Sequence, residues 1–344
     1  MENLLVPLSE AIPGMWVAEN IEDSRGEILV PQNELLSEDM IQLLKRNDVK
    51  EIKINSNIWH DVISVQKQTK ENYVAFTKEV RELLESIERN EPIEMSRFED
   101  LCKNLDEEFD TDGKIIGCIN LFTSAENYTY NHSVNVSLLG KLIGKWMKYK
   151  PEKIHDIMMA GLLHDIGKMK ISRSIIDKPD KLTDEEFEEV KHHSLYSYDY
   201  LKDNEEVSID TKLGILLHHE RSDGSGYPYG VHDSDINDIA KVLAVADVYD
   251  AMLSEKPYRK KYSPFEIIQL LHEGIFGKLD KKICYTFINK IARYYIGTFV
   301  ILNTGEMAEV VAINPACIYR PILKIQDKYI DMSENGKLQI VNVV

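Results

Sequence analysis

The feature that most constrains this chain is a recurrence of metal-competent side chains through one apolar, helix-like region. His132, then His164 with Asp165, then His192 with His193, then His218 with His219, then Asp247 follow one another at intervals of 25 to 32 residues. One helix of about a dozen residues plus its loop fills such an interval. Successive helices of a bundle can therefore each bring a ligand to one central point. Burying so many histidines and carboxylates is costly unless something uses their lone pairs and charge together, and a metal ion does both. The set is large enough for two ions. Imidazole nitrogens with shared carboxylates suit iron, manganese or zinc. Cys102, Cys118, Cys284 and Cys317 are far apart and form no CxxC pair, which argues against structural zinc and against a disulfide framework.

Three stretches carry the detail. In GLLHDIGK, residues 161–168, a helical reading projects His164 and Asp165 about 100° apart and sets Lys168 at i+4 from His164, a point charge for phosphate. Gly167 permits a close approach. After His218 and His219 the chain reads ERSDGSGYP, a loop that ends the helix and offers the ring and hydroxyl of Tyr227. VLAVADVYDAMLSEKPYRKKY sets Asp247 in an apolar helix and follows it with Lys256, Arg259, Lys260 and Lys261, a local basic cluster suited to phosphate. Periodicity gives only a modest preference for His193 over His192, because His193 shares a face with Val190 and Ser197. His60, His155, His232 and His272 have no such companions and read as surface or packing residues.

A chain of 344 residues exceeds one ordinary domain. Residues 1–61 read as a small α/β module: GEILVP and KEIKI look like strands, and SEDMIQLLKRN like an amphipathic helix with Ser37 as its N-cap. Residues 62–112 read as a helical connector, with Val74, Val80, Leu83, Leu84 and Ile87 at helical spacing and a break at Pro92. Residues 113–296 read as an all-helical domain in which Thr183 and Glu186 form a capping box. Residues 297–344 alternate as a small antiparallel β unit, so the fold class is mainly α with a mixed start and a β end. The formal net charge of −17 argues against binding a nucleic-acid polymer or an anionic membrane. A small anionic ligand remains compatible, because screening limits the distant field to about 10 Å. No apolar run approaches the roughly 20 residues of a membrane span, and MENLLVPLSEAIPG lacks the features of a secretion signal, so a cytoplasmic protein is expected. Nothing in the pattern decides for or against a homodimer.

HDIGK, HHERSDGSGYP and VADVYDAMLSEKPYR occur in that order and together resemble the HD-GYP family, a branch of the HD-domain metal-dependent phosphohydrolases, over roughly residues 113 to 295. The resemblance implies an all-helical HD-type catalytic core with two or three metals, commonly iron or manganese, that cleaves the bacterial messenger cyclic diguanylate. It implies the ligands His132, His164, Asp165, His193, His218, His219 and Asp247, with Asp165 bridging, and it selects His193, followed by Ser194, over His192. Lys168, Tyr227, Lys256 and Arg259 match positions that contact substrate phosphate or base, with Asp165 and Lys168 as the catalytic pair. One position departs: some members carry a glutamate one turn before the first histidine that helps hold a third metal, and here it is Tyr128, a neutral phenol. The expectation is a binuclear centre whose activated water attacks phosphorus while Lys168 and the metals stabilise the phosphoryl charge. The product is then the linear dinucleotide, and GMP if both bonds are cut. Two other readings stand beside it: a cyclic-dinucleotide sensor without turnover, and a phosphodiesterase for another cyclic dinucleotide.

Overall fold

The computed structural model describes residues 3–8, 11, 17–23, 26–32, 34, 36, 38–121, 128–254, 261–273, 278–326 and 328–343. Packing divides the chain into two compact units, Met1–Glu71 and Asn72–Val343. The first contains β1 (Asn3–Pro7), β2 (Ile21–Glu22), β3 (Ile28–Val30), α1 (Glu38–Arg46), β4 (Glu51–Asn55) and the start of α2 (Ser56–Glu88). β1 pairs antiparallel with β4, with Leu5 opposite Lys53, and β2 pairs with β3. Val6, Leu8, Val30, Ile41, Leu44 and Ile52 give this unit its own core. Ser37, expected to cap α1, lies outside the described residues.

The second unit continues α2 and adds α3 (Met95–Glu108), α4 (Asp112–Leu121), α5 (Tyr128–Trp146), α6 (Pro151–Leu163), α7 (Arg173–Ile176), α8 (Asp184–Lys191), α9 (His193–Leu201), α10 (Ile209–Leu217), α11 (Asp238–Leu253), α12 (Pro264–Glu273) and α13 (Lys281–Ile291). The chain then turns to β5 (Phe299–Leu302), β6 (Met307–Ala312), β7 (Ile322–Ile325), β8 (Lys328–Asp331) and β9 (Ile340–Val343), an antiparallel sheet in the order β8-β7-β6-β5-β9. The fold class is mainly α, with an all-helical core and a small terminal sheet. Val80 and Leu101 before the helical domain, Leu139 and Val242 within it, and Val300, Val310 and Leu323 after it belong to one buried cluster. Along the chain these segments differ in character, but their apolar faces are covered by one another. No helix among the described residues is long and apolar enough to cross a membrane.

Local chemistry sets the helix starts. At α8, Thr183 Oγ1 accepts from Glu186 N while Glu186 Oε2 accepts from Thr183 N, a reciprocal cap. Ser208, Asn237 and Asp280 cap α10, α11 and α13 through their side-chain oxygens. α5 and α6 pack with their backbones nearly touching: a Cβ on Gly161 would stand 2.6 Å from Ser137 Cα. That approach is what brings His132 on α5 to His164 at the end of α6.

Candidate metal centre

GLLHDIGK is not one helix. α6 ends at Leu163, His164 occupies its C-cap, and Ile166–Lys170 form a 3-10 turn with Asp165 at its N-cap. Lys168 is therefore not turned toward His164 across an α-helical i+4 step. It donates instead to Asp165 Oδ2 at 2.5 Å, three residues away, because the tighter 3-10 spiral aligns i with i+3. Gly167 lets this turn press against α9: an added Cβ would lie 2.0 Å from His193 O. Ser197 Oγ locks the contact, accepting from Gly167 N at 2.8 Å and donating to His164 O at 2.7 Å. The turn thus sets His193, the first residue of α9, beside the His164–Asp165 pair. His218 and His219 follow the end of α10, and Asp247 comes from the middle of α11.

These residues converge. Three groups each have one ligand atom per residue within 4.8 Å of the others: His193 with His218 and His219, His132 with His164 and Asp247, and His164 with Asp165 and His218. His132, His164, Asp165, His193 and His218 are at most 2% exposed. Their hydrogen bonds fix which ring nitrogen carries the proton. Nδ1 of His164, His193 and His218 faces the carbonyl of the residue three before, at 2.8, 2.7 and 2.5 Å from Gly161 O, Val190 O and Ile215 O. A carbonyl only accepts, so each Nδ1 is the donor and each Nε2 presents a lone pair. Yet His193 Nε2 lies 3.3 Å from His218 Nε2 and 3.1 Å from His219 Nε2. Asp165 Oδ1 is buried with no hydrogen-bond partner among the described residues, 3.4 Å from His193 Nε2. Lone pairs of nitrogen and an ionised oxygen crowded together are what a cation requires and what nothing else in the protein would compensate, so the residues fit a metal.

Protonation agrees with this division. Burial pushes His193 down to about 4, and Asp165 only partly offsets it. Burial also drives His218 and His219 well below the usual histidine range, helped by the neighbouring rings. His132 is the exception: burial opposes its charge, but hydrogen bonds to Asp247 and Asp250 outweigh burial and push it up to about 9. Burial would raise Asp165 and Asp247, but His164 and Lys168 beside the first, and His132 and His219 beside the second, hold both well below the carboxylate range.

Tyr227 tilts over His219 with ring centroids 4.6 Å apart, so it borders the cluster, and Lys168 borders it at Asp165. Lys256 and Arg259 lie outside the described residues. His192 points away, with Nδ1 on Glu188 O. Tyr128 stacks on His132 at 5.2 Å, at the position read as a missing carboxylate. Sequence reasoning passed over two supporting carboxylates. Asp250 Oδ2 accepts from His132 Nδ1 at 2.7 Å, and Asp250 lies three residues after Asp247 in the same apolar helix, a spacing that could have flagged it. Glu220, only 2% exposed, accepts from the backbone N–H groups of Tyr229 and Gly230 at 2.7 and 3.1 Å and of Val231 at 3.2 Å. It clamps the loop that carries Tyr227, and its place directly after the histidine pair was the available signal.

Comparison with known proteins agrees with the helical character of this unit. Residues 118–283, within the helical unit, match the HD domain family. A cyclic di-GMP phosphodiesterase of Pseudomonas aeruginosa is 36% identical over 211 residues, 61% of this chain and 50% of that protein. One of Thermotoga maritima is 38% identical over 152 residues, 44% of this chain and 41% of its own length. A 3'3'-cGAMP-specific phosphodiesterase of Vibrio cholerae is 31% identical over 163 residues, 47% of this chain and 35% of its own. The chain spans about half the length of the first of these relatives. Among solved structures, an HDG"Y"P protein from Bdellovibrio bacteriovorus superposes with a TM-score of 0.55 at 15% identity, covering 85% of this chain and 100% of that one, a likeness of fold.

Proposed function

We propose that the chain is a metal-dependent phosphodiesterase that hydrolyses a cyclic dinucleotide, cyclic diguanylate first among them, to the linear dinucleotide and then to GMP where both bonds are cut. The observation that carries this reading is the crowding of the Nε2 atoms of His193, His218 and His219 beside the buried Asp165, whose Oδ1 lies 3.4 Å from His193 Nε2 and has no hydrogen-bond partner among the described residues. His132, His164 and Asp247 would hold one divalent ion, His193, His218 and His219 the other, and Asp165 would serve both, with iron or manganese as the metals. When bound, such a pair supplies Lewis acidity toward phosphoryl oxygens and an acidified water as nucleophile. The chain's own residues do the rest. Asp165 and Asp247 stay ionised at neutral pH and His193, His218 and His219 stay neutral, so those donors are ready, whereas His132, pushed up to about 9, gives up a proton to ligate. Lys168, 21% exposed, can turn its ammonium from Asp165 toward a phosphoryl oxygen. Tyr227 offers its ring to a base, and Lys256 and Arg259 are proposed as phosphate contacts.

The substrate class comes from the relatives' names, of which some specify cyclic di-GMP and one 3'3'-cGAMP. Full-length protein stripped of metal and reloaded with Mn(II) or Fe(II) should convert cyclic diguanylate to the linear product, with cyclic GMP-AMP run in parallel. His164→Ala and Asp165→Ala should abolish conversion, and full activity in either would refute the mechanism. Stoichiometric binding with no product in a metal-loaded sample would favour the sensor reading.

A further inference from the structure

We infer that Tyr73, on α2, is a positioning residue for the metal centre, acting on His132 through Asn135 and Asp250. The inference rests on the proposed centre and concerns a residue outside the segment matched to the HD domain, residues 118–283. The contacts form one unbroken line. Tyr73 Oη donates to Asn135 Oδ1 at 2.7 Å, Asn135 Nδ2 donates to Asp250 Oδ1 at 2.7 Å, and His132 Nδ1 donates to Asp250 Oδ2 at 2.7 Å. Tyr73, His132, Asn135 and Asp250 are 0, 2, 1 and 1% exposed. Solvent therefore does not replace a lost partner.

The line has a single polarity. His132 must leave Nε2 unprotonated to ligate, which makes Nδ1–H the donor and Asp250 its acceptor. Asp250 as a carboxylate only accepts, so Asn135 must turn its nitrogen toward it. An amide has nearly the same shape when flipped, and a flipped Asn135 would set its oxygen against Asp250 Oδ1. The hydroxyl of Tyr73 reinforces that orientation by donating to the amide oxygen left facing it. Burial, and then the charge of Asp250, hold the phenol proton well above the ordinary tyrosine range, so the donor is permanent. α2 is itself anchored beside this segment of α5: the Arg81 guanidinium lies 5.7 Å over the Tyr130 ring, and Glu88 at the end of α2 pairs with Arg173. Tyr73 is also a core residue, edge-on to Phe109 at 6.4 Å, so the test must separate the hydroxyl from the packing of its ring.

The test reads metal affinity in the full-length chain, by chelator competition for Mn(II) and by the visible absorption of the Co(II)-loaded protein. Asp250→Asn should weaken Mn(II) about 10- to 100-fold, and Tyr73→Phe, which removes one hydroxyl, about 5- to 10-fold with an altered Co(II) spectrum. Tyr73→Phe placed in the Asp250→Asn background should cost nothing more, because the line is already broken. Tyr295→Phe is the packing control: it is equally buried, its hydroxyl bonds Tyr249 and Asn120, and its loss should leave Mn(II) affinity unchanged. Tyr73→Phe binding Mn(II) within twofold of wild type would overturn the inference, as would an additive double variant or a lowered melting temperature without an affinity change. Turnover is not read, so the expected affinity pattern in a protein that hydrolyses nothing would support Tyr73's role and overturn the proposed activity alone. A wild-type chain that binds no metal would overturn both.

Discussion

The two sides of the ligand cluster are held in place by different means. His132 is gripped from behind by a carboxylate, Asp250, and faces another, Asp247, so negative charge surrounds it and it is pushed up to about 9. His193 and His218 are gripped by backbone carbonyls, and burial leaves them neutral. An anionic partner behind a ligating imidazole raises its basicity and the pull on a cation more than a carbonyl does. In the proposed centre the first side would hold its ion the more tightly once the proton on His132 is displaced, and the second would hold a weaker, more exchangeable one. Asp165 lies between them and is the group whose loss both sides should feel.

Substitutions on either side of the cluster test that contrast. Asp165→Asn has the largest expected effect: hydrolysis should fall about 1000-fold or more, since several kcal/mol of transition-state stabilisation depend on the ions it serves. Retained turnover would remove Asp165 from the shared role. Asp250→Asn should weaken one ion and spare the other in a Mn(II) titration, and equal weakening of both would contradict the difference between the sides. Glu220→Gln should raise KM for the dinucleotide about tenfold through a loosened Tyr227 loop, as the loss of charge-assisted hydrogen bonds implies, with metal content unchanged. A fall in metal content instead would make Glu220 part of the ligand support.

The smallest effect lies away from the site and acts on stability alone. Asp112 accepts from Lys145 at 2.8 Å, Trp146 at 2.9 Å and Tyr294 at 2.6 Å, which together outweigh its burial and lower its proton affinity below the ordinary value of 3.8. A carboxyl depressed on folding stabilises the native state above its unfolded value and ceases to do so as pH falls through its folded value. Asp112→Asn should then cost about 1–2 kcal/mol at pH 7, and the difference from wild type should shrink as the pH drops below 3.8. Denaturant melts at several pH values check this, and a cost that persists unchanged at pH 2 would exclude the ionic contribution.

How much was legible follows from what leaves a pattern along the chain. Ligands that come one per helix leave a period, and His132, His164, Asp165, His193, His218, His219 and Asp247 do meet. The strands of the terminal sheet leave an alternation, and β5 through β9 fall on the alternating segments. The groups behind the ligands leave no such period. Asn135 reads as one more residue of a helix, and Tyr73 sits beside Val74, which the helical spacing had marked as apolar but which is 54% exposed while Tyr73 is buried. Nor does spacing distinguish an α-helix from a helix that tightens to a 3-10 turn, so the partner of Lys168 was misread. Lone-pair direction, which argues most strongly for metal, exists only once carbonyls three residues back are seen to claim each Nδ1.

The central claim is a two-ion centre organised around one shared carboxylate, and its most direct test is a Mn(II) titration of the metal-stripped, full-length chain beside Asp165→Asn. Two ions per wild-type chain, the tighter one lost first from Asp250→Asn, and at most one weakly held ion in Asp165→Asn is the predicted result. A single ion in the wild type, or two in Asp165→Asn, would contradict it.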